Sequence, residues 1–170
     1  MTELLLVHWV TPAQHRALLD GRSVATADPE PERLARLCAE NAVPWAPQSS
    51  ALSCFVGAVP LRVAAAHRGS VRLELDVSWL LGDLRLASDR ALAPWLLALA
   101  ERADRGASID AGLRAVTVLG GAPSDREDHL RALCQRAGPA GIVEARILRA
   151  LDLDDVDTAY VETGLAILEA

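Results

Sequence analysis

Arg62, Arg72, Glu74 and Asp76 form the best constellation for chemistry in this sequence. Val71, Leu73, Leu75, Val77 and Trp79 alternate with Arg72, Glu74, Asp76 and Ser78. Such a period of two predicts a strand with one buried and one polar face. Glu74 and Asp76 then project to the same side, with arginines alongside. Covered by a loop or a second subunit, such a pair can polarise a ligand or share a proton. Left open to water, the same residues are a solvated face laced with cross-strand ion pairs.

Trp45 is the second candidate. It sits between Pro44 and Pro47 in a stiff loop. Tryptophan is favoured at interface hot spots, and a stiff loop presents it at low entropic cost. The competing role is a lid tucked over the core.

The other reactive residue types fall into ordinary roles. No pair among His8, His15, His67 and His129 has the i, i+4 helical spacing of a metal site, and HExxH is absent. His129 and Cys134 are five apart on one predicted helix, so they point away from each other. Cys38, Cys54 and Cys134 are odd in number and lack CxxC spacing, which reads as buried thiols rather than a disulfide or zinc framework. No serine lies in a GxSxG elbow. Gly120-Gly121 precedes a helix start, where phosphate can bind, but Asp125, Glu127 and Asp128 in that first turn would repel it. Asp152, Asp154, Asp155 and Asp157 lack the glycine and the bidentate glutamate of a calcium loop, so a turn or a helix cap is expected. No metal site and no cofactor is therefore expected.

These residues need elements to position them. Leu4 to Val10 reads as a buried strand. Thr11, Pro12 and Gln14 together form a helix start with a capping box, and Gly21 ends that helix. Asp28-Pro29 restarts a helix with Leu34, Leu37 and Cys38 on its inner face. Residues 52–59 read as a strand. Leu61, Val63 and Ala65 alternate, so a hairpin through His67-Arg68-Gly69 would pair Ala65 with Val71, Val63 with Leu73, and Arg62 with Glu74. Residues 88–105 form a helix ended by Gly106, with Ser88-Asp89 as its cap. Leu113 to Leu119 is almost continuously apolar, hence a central strand. Ser124 to Glu127 opens a helix closed by Gly138. Residues 142–151 fit strand and helix equally, and 159–168 lean to strand.

The order β-α-α-β-β-β-α-β-α-β-β predicts an α+β domain spanning 1–170, with helices on one side of a mostly antiparallel sheet. In element order alone it resembles a ferredoxin-like domain or a duplicated β-α-β-β unit.

Composition narrows the function classes. The chain has 170 residues, 51% of them hydrophobic, enough for a real core. All its basic residues are arginine, so no Schiff base and no P-loop lysine can form. The net charge of −6 and the lack of a basic run argue against nucleic acid. No apolar run reaches membrane-span length, and Met1-Thr2-Glu3 lacks a basic leader, so a cytoplasmic protein is expected. Two functions remain. One is a non-catalytic binding or regulatory module acting through a protein partner or a second copy. The other is a small-molecule-binding domain or small cofactor-independent enzyme, with an acid–base pocket between sheet and helices built on Glu74 and Asp76.

Overall fold

A computed structural model describes residues 4–46 and 50–163. The chain runs β1 (Leu6–Val10), α1 (Pro12–Leu19), α2 (Pro31–Glu40), β2 (Leu52–Val56), α3 (Leu61–Ala66), β3 (Val71–Leu75), α4 (Val77–Leu80) and β4 (Leu84–Ser88). It continues through α5 (Leu92–Asp104), α6 (Asp110–Leu113), β5 (Val116–Val118), α7 (Pro123–Ala137), β6 (Glu144–Ile147) and β7 (Val156–Val161). The strands form one sheet in the order β5-β4-β6-β2-β1-β3-β7, with every neighbouring pair antiparallel. The class is α+β.

The topology contains a repeat. The segment from β1 to β3 runs β-α-α-β-α-β, and so does the segment from β4 to β6. In each, the first strand lies between the other two, giving β2-β1-β3 and β5-β4-β6. The two units meet where β2 pairs with β6.

Helices cover both faces of the sheet rather than one. On one face Leu6, Val10, Cys54 and Ala145 pack with Leu18 of α1 and with Leu130 and Leu133 of α7. On the other, Leu86 and Val116 pack with α2 and α5, while Val7 and Trp9 pack with Ala64 of α3. A central strand with alternating residues that are all apolar has two faces to bury, so it needs cover on each.

The expected hairpin is absent. Residues 61–66 form α3, because Pro60 sets its start and the run of alanines favours helix over a pleated strand. Arg62 therefore does not face Glu74. β3 pairs instead with β1, His8 opposite Leu73 and Trp9 opposite Arg72, and with β7. β3 also stops at Leu75, where Asp76 caps α4 through the backbone N–H of Trp79. The apolar run 113–119 is not a central strand. Its strand is the three-residue edge β5, and Leu113 closes α6. A short apolar run cannot by itself separate helix from strand.

The strand that joins the second unit to the first, paired on both edges, is β6, inside the ambiguous segment 142–151. The strand expected at 159–168 begins earlier, at Val156, and residues 164–170 lie outside the described ones. Thr11 and Gln14 do form the reciprocal capping box. Ser88-Asp89 does not cap α5, which begins at Leu92, and α7 begins at Pro123 with Asp125 accepting from the N–H of Ala122.

Candidate functional site

The expected polar face exists only in part. Arg72 and Glu74 share one face of β3, with Arg72 Nε 3.5 Å from Glu74 Oε1. The Glu74 carboxylate also accepts from Tyr160 Oη at 3.0 Å and Thr158 Oγ1 at 3.1 Å, both on β7. The Arg72 guanidinium lies 5.5 Å from the Trp9 ring and 5.9 Å from the Tyr160 ring. Arg62 is exposed on α3 and takes no part. Asp76 is exposed, and its carboxylate is held below the usual range by the Ser78 hydroxyl and the Trp79 N–H. Glu74 and Asp76 are thus not a proton-sharing pair. One is tied to β7 and the other caps a helix.

Trp45 is half-buried and lies flat on a buried arginine. The Arg146 guanidinium carbon sits 3.6 Å from the Trp45 ring centroid. Arg146 is fully buried and grips Asp28 with both terminal nitrogens, at 3.0 and 2.7 Å. Its Nη1 also donates to Ser53 Oγ at 3.1 Å.

Beside this pair the sheet opens. β1 pairs with β3 over five residues but with β2 only through Leu6–Val56 and Val7–Phe55. Continued regularly, the ladder would pair Trp9 with Ser53. Instead the Ser53 carbonyl accepts from His8 Nδ1 at 2.8 Å, and the Ser53 N–H donates to Thr26 Oγ1 at 2.7 Å. Two side chains have replaced a neighbouring strand. Buried backbone groups demand partners, so a gap inside a sheet persists only where such substitutes are supplied.

The gap is a cleft of about 200 Å³ lined by His8, Trp9, Thr26, Ser53, Cys54, Phe55, His67 and Glu144. Adjacent residues of both strands line it, as expected of an opening between strands rather than a hollow on one face. Its walls are aromatic. The His67 ring stacks on Trp9 at 4.4 Å between centroids, and Phe55 meets Trp9 edge-on at 5.5 Å. The indole N–H of Trp9 is buried and has no hydrogen-bond partner among the described residues.

The titratable groups here are displaced in opposite directions. Burial lowers His8 to about 4, against the opposing bond to Ser53, and the nearby His67 ring lowers it further. His8 is therefore neutral at ordinary pH. Its Nδ1 carries the proton that Ser53 accepts, which leaves Nε2 with a lone pair. Burial raises Glu144 to about 7, although the Leu92 N–H at the start of α5, the Arg146 charge and the Ser53 hydroxyl all favour its ionised form. Burial also lowers His67 and pushes the Cys54 thiol up to about 12, so Cys54 is an inert wall residue. The cleft thus joins a neutral base to a carboxyl that keeps its proton close to neutrality.

A larger hollow of about 300 Å³, lined in part by Val56, Cys134, Ala137, Pro139 and Val143, contains no acid or base beyond the Cys134 thiol, which burial raises. Of these two spaces, the smaller holds the acid and base groups. No group of three histidine, cysteine or acidic residues is placed to hold a metal among the described residues.

Sequence reasoning missed His8, Ser53 and Glu144. Two signals were present. His8 is the polar residue inside the otherwise apolar run 4–10, and Glu144 and Arg146 alternate with Val143, Ala145 and Ile147. Comparison with known proteins finds no matching family model, no similar curated protein and no similar solved structure.

Proposed function

We propose that the protein binds a small, largely apolar molecule in the cleft between β1 and β2. The observation that carries this reading is the replacement of the Trp9–Ser53 ladder pair by His8 and Thr26. The interruption leaves an aromatic-walled space with a few convergent polar groups, the general character of a ligand site. About 200 Å³ is the room taken by roughly seven waters, so the fitting ligand is a single small ring or its equivalent. The acid–base groups of such a site are His8 and Glu144 rather than Glu74 and Asp76.

A specific observation also supports a protein partner or a second copy. The Trp79 side chain donates to Asp155, yet the residue is 64% exposed, and Leu153 is exposed as well. An anchored, exposed tryptophan fits a hot spot better than Trp45, which lies against Arg146.

One measurement separates the two readings. The four tryptophans give four indole N–H signals by NMR. A neutral aromatic fragment at millimolar concentration is expected to move the Trp9 signal and leave Trp79 in place. Movement of Trp79 on raising the protein concentration would favour self-association. A Trp9 signal indifferent to every such fragment would overturn the cleft reading.

A further inference from the structure

The cleft's polar groups specify more than size. Trp9 is 8% exposed, and its indole N–H is a buried donor with no partner among the described residues. A buried donor left unmatched is costly, so the site calls for an acceptor. His8 offers the opposite. Its Nδ1 is committed to the Ser53 carbonyl, so Nε2 presents a lone pair and calls for a donor. The stacked Trp9 and His67 rings and the edge of Phe55, which line the same cleft, favour a flat molecule.

The surrounding charges are balanced. Arg146 is neutralised by Asp28, which accepts from both its terminal nitrogens, while its Nε is a buried donor without a partner among the described residues. His8 and His67 are both shifted toward the neutral form, and Glu144 retains its proton up to about 7. A charged ligand would enter a space in which burial has already discharged the protein's own groups.

We infer that the cleft takes a neutral, planar ring carrying an N–H donor beside a carbonyl acceptor, a cyclic amide. The carbonyl accepts from the Trp9 indole and the ring N–H donates to His8 Nε2. This rests on the cleft reading above and names the chemical class of its ligand.

The probes are 2-pyridone, N-methyl-2-pyridone and fluorobenzene, titrated into the full chain at pH 6 and followed by the Trp9 indole NMR signal. The first has both polar groups, the second lacks the donor, and the third lacks both groups at the same number of heavy atoms. 2-Pyridone is expected to bind about tenfold more tightly than N-methyl-2-pyridone, and fluorobenzene no better than the methylated ring. Trp9→Phe, which keeps a ring but removes the N–H, should abolish most of that preference, read by isothermal titration calorimetry on both chains because the variant lacks the Trp9 signal. If that variant does not fold, the ligand series alone decides. Equal affinities for 2-pyridone and fluorobenzene would overturn the cyclic-amide inference while leaving a binding cleft. Failure of all three to bind would overturn the cleft reading itself.

Discussion

Two clusters of the same ingredients flank the cleft on one sheet face. In the first, Arg146 pairs with Asp28 under the Trp45 ring. In the second, Arg72 pairs with Glu74 between Trp9 and Tyr160. Each combines an arginine, a carboxylate and an aromatic ring. They differ in water. The Arg146 and Asp28 side chains are 0% and 1% exposed, whereas those of Arg72 and Glu74 are 14% and 27% exposed. The first is bidentate and also reaches Ser53 at the cleft, and the second is a single longer contact shared with β7. The same kinds of side chain thus build a rigid internal wall in one place and a loosely coupled surface in the other. Burial decides between the two, because desolvation makes the loss of one partner severe only where water cannot replace it.

The sharpest way to break this comparison is to remove one partner of the buried pair. Asp28→Ala leaves Arg146 charged, buried and without its carboxylate. The expected loss is about 3–5 kcal/mol of unfolding free energy, read by urea denaturation. The double variant Asp28→Leu with Arg146→Met removes both charges and should recover most of that loss. A loss below about 1 kcal/mol in the single variant would place the pair in the same class as Arg72–Glu74.

The cleft between the clusters gives the next effect, through pH. Glu144 is raised from 4.5 to about 7 in the folded state, so the folded chain holds a proton that the unfolded chain releases. Its contribution to stability is greatest below pH 4.5 and is lost as pH rises to 7. His8 is lowered from 6.5 to about 4, so the unfolded chain binds the extra proton. Its contribution is present above pH 6.5 and is lost as pH falls to 4. The two slopes oppose each other between pH 4.5 and 6.5 and largely cancel. Single variants unmask them. Glu144→Gln should gain stability as pH rises through that window, and His8→Gln should lose it, each at up to roughly 1.4 kcal/mol per pH unit. Parallel pH profiles for the two variants would show that the cleft groups do not titrate as neutral partners.

The legible parts of this chain were those governed by local chemistry. The Thr11–Gln14 capping box, the α2 stripe of Leu34, Leu37 and Cys38, and the glycine stops at 106 and 138 all follow from short-range spacing, and the structure contains them. The α+β class followed from the mixture of periods. The illegible parts were set by tertiary pairing. Nothing local tells residues 61–65 that β3 will pair with β1 and β7, which frees them to form α3. Asp28 carries the signature of a helix cap, yet its partner Arg146 lies 118 positions away. His8 reads as one polar residue in a strand until β2 parts from β1 beside it. The chemistry of the cleft therefore depended on contacts that spacing cannot encode, whereas the Arg72–Glu74 alternation was visible because both residues lie on one strand.

The smallest expected effect belongs to that visible pair. Glu74→Gln removes the charge opposite Arg72 but keeps an oxygen able to accept from Tyr160 or Thr158. Water reaches both side chains, and Arg72 retains the Trp9 and Tyr160 rings as neighbours. The cost should stay under about 1 kcal/mol and shrink in high salt, where screening weakens the ion pair in the wild type. Denaturation of both chains at low and high salt measures it. A salt-independent loss approaching that of Asp28→Ala would mean that Glu74 acts as a buried charge and that the β3–β7 face is sealed from water. The partial exposure of the two side chains argues against that outcome, because side chains that water partly reaches regain some solvation when a partner is lost, even though the Arg72 Nε facing Glu74 is buried. Arg146 has no such recourse, and that asymmetry is why the sequence's most conspicuous charged face is energetically the quieter of the two.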